Sequence, residues 1–194
     1  MKLKIISMLV FISTFSFAQE SKKYQIKSAV ITFENTITIM GMAVSQKQIL
    51  YFDDYGMKEC KEFYEDTTLM ESVFCDGKET YTVIFDEKVV YKTGKSSNGT
   101  EPVFAWSAVP EEDKKSGKAK KLDSMIVAGK ACEAYEHTKD DAKTIIAGRN
   151  NIRLFTDLKS KDISSTSKAV SIKENVNVQA SKFMIPKAFL IKNQ

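Results

Sequence analysis

The sequence predicts a single, mostly β domain that follows a short N-terminal export signal. Ile, Val, Thr, Phe and Tyr recur in short runs separated by turn residues, and the 194-residue chain has only 8 Gly and 3 Pro. Runs of this composition favour a pleated sheet, and so little Gly and Pro argues against a disordered or linker-rich chain. The length suits one domain with its own hydrophobic core.

The first eighteen residues have the features of a secretory signal peptide. Two lysines supply a positive start, an apolar run covers Ile5 to Phe17, and Ala18 is the small residue at the exit. This combination is typical of a cleaved signal, and the run is shorter than the roughly 20 apolar residues of a membrane span. We therefore expect residues 1–18 to be removed and residues 19–194 to form one periplasmic or secreted domain without a stable membrane span.

Removing this signal leaves 27 basic and 25 acidic residues, a charge of about +2. A nucleic-acid-binding domain normally has a strong basic field concentrated on one face. The one basic cluster, from Lys114 to Lys121, follows three acidic residues and is typical of a solvated surface. We expect no nucleic-acid partner.

The first half of the mature chain predicts strands separated by tight turns. Asp53–Gly56 predicts a turn and Asp76-Gly77 a hairpin connection. In Thr36–Val44 both strand faces are largely apolar, so part of the sheet should be covered on both sides by a helix, a second sheet or an enclosed cavity. The predicted strands are Tyr24–Glu34, Thr36–Val44, Gln48–Phe52, Lys58–Tyr64, Glu71–Cys75, Glu79–Phe85 and Val89–Lys92.

The second half begins with a predicted helix and returns to strands. Pro110 followed by three acidic residues is a helix-start pattern, which predicts a short helix from about Pro110 to Lys121. Turns are expected at Gly129-Lys130 and Asn150-Asn151. The predicted strands are Met125–Ala128, Ala131–His137, Lys143–Ala147, Ile152–Phe155, Ala169–Val178 and Lys182–Ile185.

Two of the three cysteines are candidates for a disulfide. Cys60 and Cys75 flank a predicted hairpin with a loop at Asp66–Leu69, and counting inward places them directly opposite each other. Opposite Cβ atoms are about 4.5–5.5 Å apart, close to the roughly 3.5–4.5 Å of a disulfide, and disulfides persist in exported proteins. The alternative is that both are reduced and packed as small apolar residues.

The remaining reactive side chains do not form a catalytic pattern. Cys132 and His137, the only histidine, are five residues apart, so a regular strand places them on opposite faces and Cys132 is expected to be a buried structural residue. One His and three scattered Cys make a zinc site improbable. The pairs Asp53-Asp54 and Asp140-Asp141 are explained as turn residues. We expect no enzyme activity, no metal and no cofactor.

An apolar cavity is the other possibility that the side chains suggest. Aromatic and Met side chains are adaptable linings for an apolar ligand, although such residues more often belong to a core. The candidate lining residues are Met40, Met42, Phe104, Trp106 and Val109.

Three segments carry a family resemblance: Leu50–Glu59 (LYFDDYGMKE), Gly129–Glu136 (GKACEAYE) and Phe183–Pro186 (FMIP). With the signal and early strands, they resemble small secreted bacterial proteins of uncharacterised function that are similar in outline to the outer-membrane lipoprotein carrier (LolA-like) superfamily. The resemblance implies a strongly curved antiparallel sheet, or open half-barrel, with one or two short helices covering its concave face and an apolar cavity between them.

The leading functional hypothesis is an exported, non-enzymatic binding protein that holds a lipid or lipoprotein acyl chain in the half-barrel. Burying an acyl chain would contribute roughly 0.8 kcal/mol per CH₂. The alternative is a structural or protein-interaction module of the cell envelope with a filled core and no ligand. The condition of the concave face, hollow or filled, distinguishes the two.

Overall fold

The structure is a computed structural model that describes residues 22–95 and 104–193, so the expected signal peptide lies outside the described residues. Its elements are short and almost all extended. In chain order they are β1 (Ala29–Ile39), β2 (Met42–Asp53), β3 (Lys58–Glu65), β4 (Thr68–Cys75), β5 (Glu79–Ile84), β6 (Val89–Lys95), α1 (Glu111–Lys115), β7 (Ala119–Val127), β8 (Lys130–Lys139), β9 (Ala142–Arg149), β10 (Ile152–Lys159), β11 (Ile163–Glu174) and β12 (Leu190–Asn193).

All twelve strands belong to one open sheet of order β12-β6-β5-β4-β3-β2-β1-β11-β10-β9-β8-β7. Strands β1–β6 and β7–β11 each form an antiparallel meander, and the pairing of β1 with β11 joins the two. The last strand, β12, pairs with β6 in parallel. The predicted fold class, a mostly β protein with an open and mainly antiparallel sheet, is confirmed.

The sheet is curved, and its concave side is the inner face. One buried cluster contains Leu50 of β2 and Val127 of β7, although these strands are six positions apart in the sheet order. A flat sheet would hold them about 29 Å apart at about 4.8 Å per strand. β7 also approaches β11, so the sheet curls around this cluster.

The inner face is filled by the protein's own side chains. Its buried members come from β1, β2 and β7–β11, and Ile31, Phe52 and Leu154 are almost fully buried. An irregular segment with several bends, residues 22–28, lies against this cluster and places the Tyr24 ring 4.4 Å from that of Phe52. The curl therefore encloses a packed core where the sequence-based hypothesis expected an apolar cavity.

The same N-terminal segment carries a buried ion pair. Lys23 Nζ lies 2.6 Å from Glu59 Oε1, and both side chains are almost inaccessible to solvent. The Tyr24 N–H donates to the Tyr55 carbonyl, and the Gln25 N–H donates to the Asn150 carbonyl. The segment is thus bonded to both meanders, one on each side of the curl.

The outer face of β1–β6 is covered by the segment that follows β11. Phe183 and Val178 pack there against Phe74, Val83 and Val90. An ion pair also holds this covering segment in place, because Lys182 pairs with the mostly buried Glu62 carboxylate. The same carboxylate accepts a hydrogen bond from the Tyr64 hydroxyl at 2.7 Å. The prediction of cover on both faces is wrong for Thr36–Val44, the stretch whose apolar pattern suggested it, because this end of the β1–β2 hairpin is largely exposed.

The predicted helix is shorter than the sequence indicated. It spans Glu111–Lys115 and buries no residue, and β7 already begins at Ala119. Gly117 has φ +78°, a left-handed conformation that ends a helix readily. The Lys120 and Lys121 side chains therefore lie on an edge strand, where lysines discourage pairing with other chains.

The predicted Cys60–Cys75 disulfide is wrong in this structure, because the β3–β4 register differs by one residue from the predicted one. The turn is only Asp66-Thr67, and an irregularity between Phe63 and Tyr64 shifts the strands, so that Cys60 faces Phe74 and Cys75 faces Glu59. Neighbouring positions on a strand point to opposite faces, and all three cysteines are free and buried.

Candidate functional site

The structure separates the five predicted lining residues into two groups. Phe104 and Val109 are buried beside the half-buried Trp106, in a cluster on the outer side of β8 and β9. Met40 and Met42 lie at the β1–β2 turn and are among the most exposed apolar residues of the described chain. The prediction that these residues line one cavity is therefore wrong.

The aromatic group is packed against the sheet. The rings of Phe104 and Trp106 lie 5.7 and 5.5 Å from the Tyr135 ring, and a Cβ on Gly148 would meet the Phe104 ring at 2.5 Å. An open cleft of about 480 Å³ borders these rings. Arg149, one of the residues that line it, already forms an ion pair, with its Nε 3.7 Å from Glu174 Oε1. The polar side chains that line the cleft are Gln25, Ser107, Glu133, Arg149, Asn150 and Asn151.

The exposed apolar surface lies at the end of the β1–β2 hairpin. Residues 35–46 contain no charged residue, and the strand register places Ile37 opposite Val44, and Ile39 opposite both Met42 and Ile163. Directly opposed residues share a face, so these side chains form one continuous surface, which we call the apolar platform: Ile37, Ile39, Met42, Val44 and Ile163.

The platform continues the inner face beyond the core. Residues 29, 31 and 33 of β1 are buried in the inner cluster, and Ile37 and Ile39 follow them at the same two-residue period. Ile39 is 47% exposed and Val44 is 69% exposed. A contiguous exposed apolar surface is unusual on a soluble monomer and typically marks a contact with another molecule.

A groove of about 370 Å³ runs beside the platform. One wall is formed by the end of the β1–β2 hairpin, and the other by the end of β3 and the start of β4. Tyr64 contributes an aromatic edge, with Lys47 Nζ 5.2 Å from its ring centre. The lining residues are Asn35, Ile37, Val44, Ser45, Gln46, Tyr64, Glu65 and Met70.

Reactive groups elsewhere are held in unreactive surroundings. Burial raises the pKa of the Cys60 thiol to about 12, and the Glu62 carboxylate acts in the same direction. Burial also raises the pKa of Cys132, whose side chain belongs to the inner cluster. The His137 side chain instead contacts Asp113 of α1, with Nε2 3.1 Å from Oδ2. Cys132 and His137 therefore belong to separate environments, as their spacing predicted.

The raised thiol pKa gives a testable pH dependence. The folded protein keeps the Cys60 proton up to about pH 12, whereas an unfolded thiol releases it near pH 8.5. The contribution of the protonated Cys60 thiol to the free energy of unfolding is therefore complete below pH 8.5. It is lost as the pH rises toward 12, at up to about 1.4 kcal/mol per pH unit. We expect Cys60→Ala to flatten this fall, as measured by urea unfolding across the range. If Cys60→Ala lost stability with pH as steeply as the wild type, the Cys60 thiol would not be the cause of the fall.

Among the described residues, no group of three or more His, Cys, Asp or Glu side chains could hold a metal ion. Within the same ranges, no helix is long and apolar enough to cross a bilayer.

Comparison with known proteins identifies the fold. No family model and no curated protein matches the chain. An uncharacterized conserved protein from Thermus thermophilus superposes with a TM-score of 0.59 at 9% identity, covering 90% of this chain and 95% of that one. MucB superposes with a TM-score of 0.53 at 10% identity, covering 88% of this chain and 62% of MucB.

Two further structures complete the comparison. MucB in complex with MucA(peri) gives a TM-score of 0.50 at 8% identity, covering 88% of this chain and 58% of that one. A LolA superfamily protein from Nitrosomonas europaea gives 0.37 at 6% identity, covering 85% and 93%. The structural neighbours thus include a member of the superfamily that the sequence resemblance names. At these identities the comparisons show the fold alone.

Proposed function

We propose that this protein is an exported, non-enzymatic interaction module of the cell envelope that binds an apolar segment of another protein through the apolar platform. The observation that carries the proposal is the distribution of apolar surface. The inner face is filled by the protein's own core, whereas the uncharged end of the β1–β2 hairpin exposes a continuous apolar surface beside a groove.

The filled inner face favours the interaction module over an internal lipid carrier. Tyr24, Phe52 and Leu154 occupy the position where an acyl chain would have to lie. Among the structural neighbours, MucB is seen in complex with MucA(peri), which supports a protein partner for this fold. The protonated, buried thiols of Cys60 and Cys132 also favour binding over covalent catalysis.

A second candidate is an acyl chain bound in the groove beside the platform. Ile37, Val44 and Met70 give the groove an apolar lining, and burial of each CH₂ would contribute roughly 0.8 kcal/mol. A protein segment can form hydrogen bonds with exposed backbone groups beside the groove, whereas an acyl chain cannot. The experiments below distinguish the two ligands.

We expect Val44→Asp to abolish enrichment of apolar peptides from a random peptide library displayed on phage. A charge on the platform must be desolvated when the partner binds, which should weaken binding more than about tenfold. Stability should change by less than about 0.5 kcal/mol, because Val44 is exposed. Binding of the enriched peptides is measured by fluorescence anisotropy, and stability by thermal unfolding.

The matched control is Ile126→Asp, on β7, because Ile126 and Val44 have the same exposed fraction of 69%. This variant should bind the enriched peptides as the wild type does. Saturable uptake of a fluorescent fatty acid that Val44→Asp removes, without peptide binding, would favour the second candidate. If neither ligand binds, or if Val44→Asp and Ile126→Asp behave alike, the proposed site is refuted.

A further inference from the structure

We infer that the partner binds as an additional β-strand on the edge of β2 at Met42–Gln46, with a basic residue beside the β3–β4 turn. This inference rests on the proposed function and specifies the conformation and charge of the segment that the platform receives. It follows from three observations: an unpaired strand edge, the direction of its backbone groups, and two carboxylates at the end of the groove.

β2 extends beyond β3, the strand that pairs with its second edge. It pairs with β1 from Met42 to Phe52, but β3 covers it only from Lys47 to Asp53. In the described part of the chain, residues Met42–Gln46 therefore have a neighbouring strand on one side only. The open side faces the groove, since Val44, Ser45 and Gln46 line it. An open strand edge is a template for pairing with another chain.

The hairpin turn determines which backbone groups face the open edge. Met40 and Gly41 both have positive φ, +49° and +83°, as in a type I′ two-residue turn. In such a hairpin the flanking residues Ile39 and Met42 form the hydrogen-bonded closing pair, and bonding alternates from there. The N–H and C=O groups of Ala43 and Ser45 therefore point away from β1, toward the groove.

These free backbone groups favour a peptide over a lipid. An acyl chain or a bilayer would cover the N–H and C=O groups of Ala43 and Ser45 without pairing them, and unpaired backbone groups are strongly disfavoured in hydrocarbon. An extended peptide pairs these groups and at the same time places alternate side chains beside Met42 and Val44 on the platform. Strand addition with side-chain pockets on one face is an established mode of peptide recognition.

The charges at the groove specify the partner further. Glu65 lines the groove and Asp66 lines the adjoining cleft at the β3–β4 turn. Both carboxylates are exposed, and neither has an ion-pair partner among the residues that the structure describes. A strand added in line with β3 would run antiparallel to β2, the slightly more stable arrangement. Its amino end would then meet these carboxylates, so a lysine or arginine should precede its alternating apolar residues.

The test uses a capped synthetic peptide with two lysines followed by alternating valine and threonine, and a second peptide of reversed sequence. We expect the first to bind at least about tenfold more tightly than the second. Its binding should slow amide hydrogen exchange at Ala43 and Ser45, as measured by NMR. N-methylation of alternate peptide amides should weaken binding in only one of the two alternations, since only those amides face β2.

The role of the two carboxylates is tested with the double variant Glu65→Gln, Asp66→Asn, which should bind the two peptides with equal affinity. Asp140→Asn with Asp141→Asn, at the β8–β9 turn, is the matched control and should preserve it. Peptide binding that depends on Val44 without protection of Ala43 and Ser45 would overturn the added strand and leave the proposed function standing. Binding to phospholipid vesicles, or self-association through this edge, with no peptide binding would overturn both.

Discussion

Lys23→Ala should lower the free energy of unfolding by about 3–5 kcal/mol, the usual result of removing one partner from a buried ion pair. Glu59 is fully buried, and Lys23 Nζ lies 2.6 Å from its carboxylate. Without the lysine, the carboxylate stays in a low-dielectric site with its charge no longer compensated by that partner. Urea unfolding followed by circular dichroism would measure the loss.

Two control variants show whether burial causes this effect. Lys121→Ala removes a lysine that lies 4.0 Å from Glu133 on the surface, and should change stability by less than about 1 kcal/mol. The double variant Lys23→Met, Glu59→Leu replaces the buried pair by apolar side chains and should recover most of the loss. A loss below about 1 kcal/mol for Lys23→Ala alone would contradict the assignment.

Phe52→Ala should cost about 3–5 kcal/mol, because it removes a large side chain from a core that cannot fully collapse. The Phe52 ring is fully buried between the Tyr24 ring and the inner cluster. The variant should also acquire a cavity that stays dry and takes up a small apolar molecule such as benzene. The wild type should not bind benzene there, since the inner face is filled.

Thermal unfolding with and without benzene measures both effects. A ligand that binds only the folded state raises its stability, so benzene should raise the melting temperature of Phe52→Ala and leave the wild type unchanged. Phe155→Ala is a useful comparison, because Phe155 packs at the margin of the same cluster and is only partly buried. A benzene effect of equal size in the wild type would show that the inner face is hollow.

The sequence predicted the sheet well wherever a turn had a clear chemical signal. Asp76-Gly77 and Asn150-Asn151 do connect strands, and Gly77, Asn150 and Asn151 all take positive φ. The fold class followed from these turns and from the composition of the runs between them. The positions of strand ends and of cross-strand partners required information that local patterns do not contain.

The β1–β2 hairpin shows why the candidate site was missed. Its turn is Met40-Gly41, and Met is an unusual residue for a turn position that needs positive φ. The Met40 N–H donates to the Asp162 carbonyl at 3.3 Å, a contact between residues distant in sequence that helps hold this conformation. The uninterrupted apolar pattern therefore predicts one strand through Thr36–Val44, and it makes the exposed Met side chains look like the lining of a cavity.

The cysteine register was missed for a related reason. The predicted pairing of Cys60 with Cys75 assumed a regular ladder and a four-residue loop, whereas the observed turn has two residues and the ladder is irregular near Tyr64. One position of register changes which face a side chain occupies. Sequence spacing alone could not locate this irregularity.

The seam between β1 and β11 also determines how the chain must fold. Each meander is built from neighbours in sequence, but the seam joins residues more than a hundred positions apart, such as Ile39 and Ile163. Local pairings close quickly, whereas distant ones must first overcome a large loop entropy. The two meanders should therefore form early and separately, and their union should limit the folding rate. Until then the residues that later share the inner cluster face water, and this interval is when a newly made chain would be most prone to aggregate.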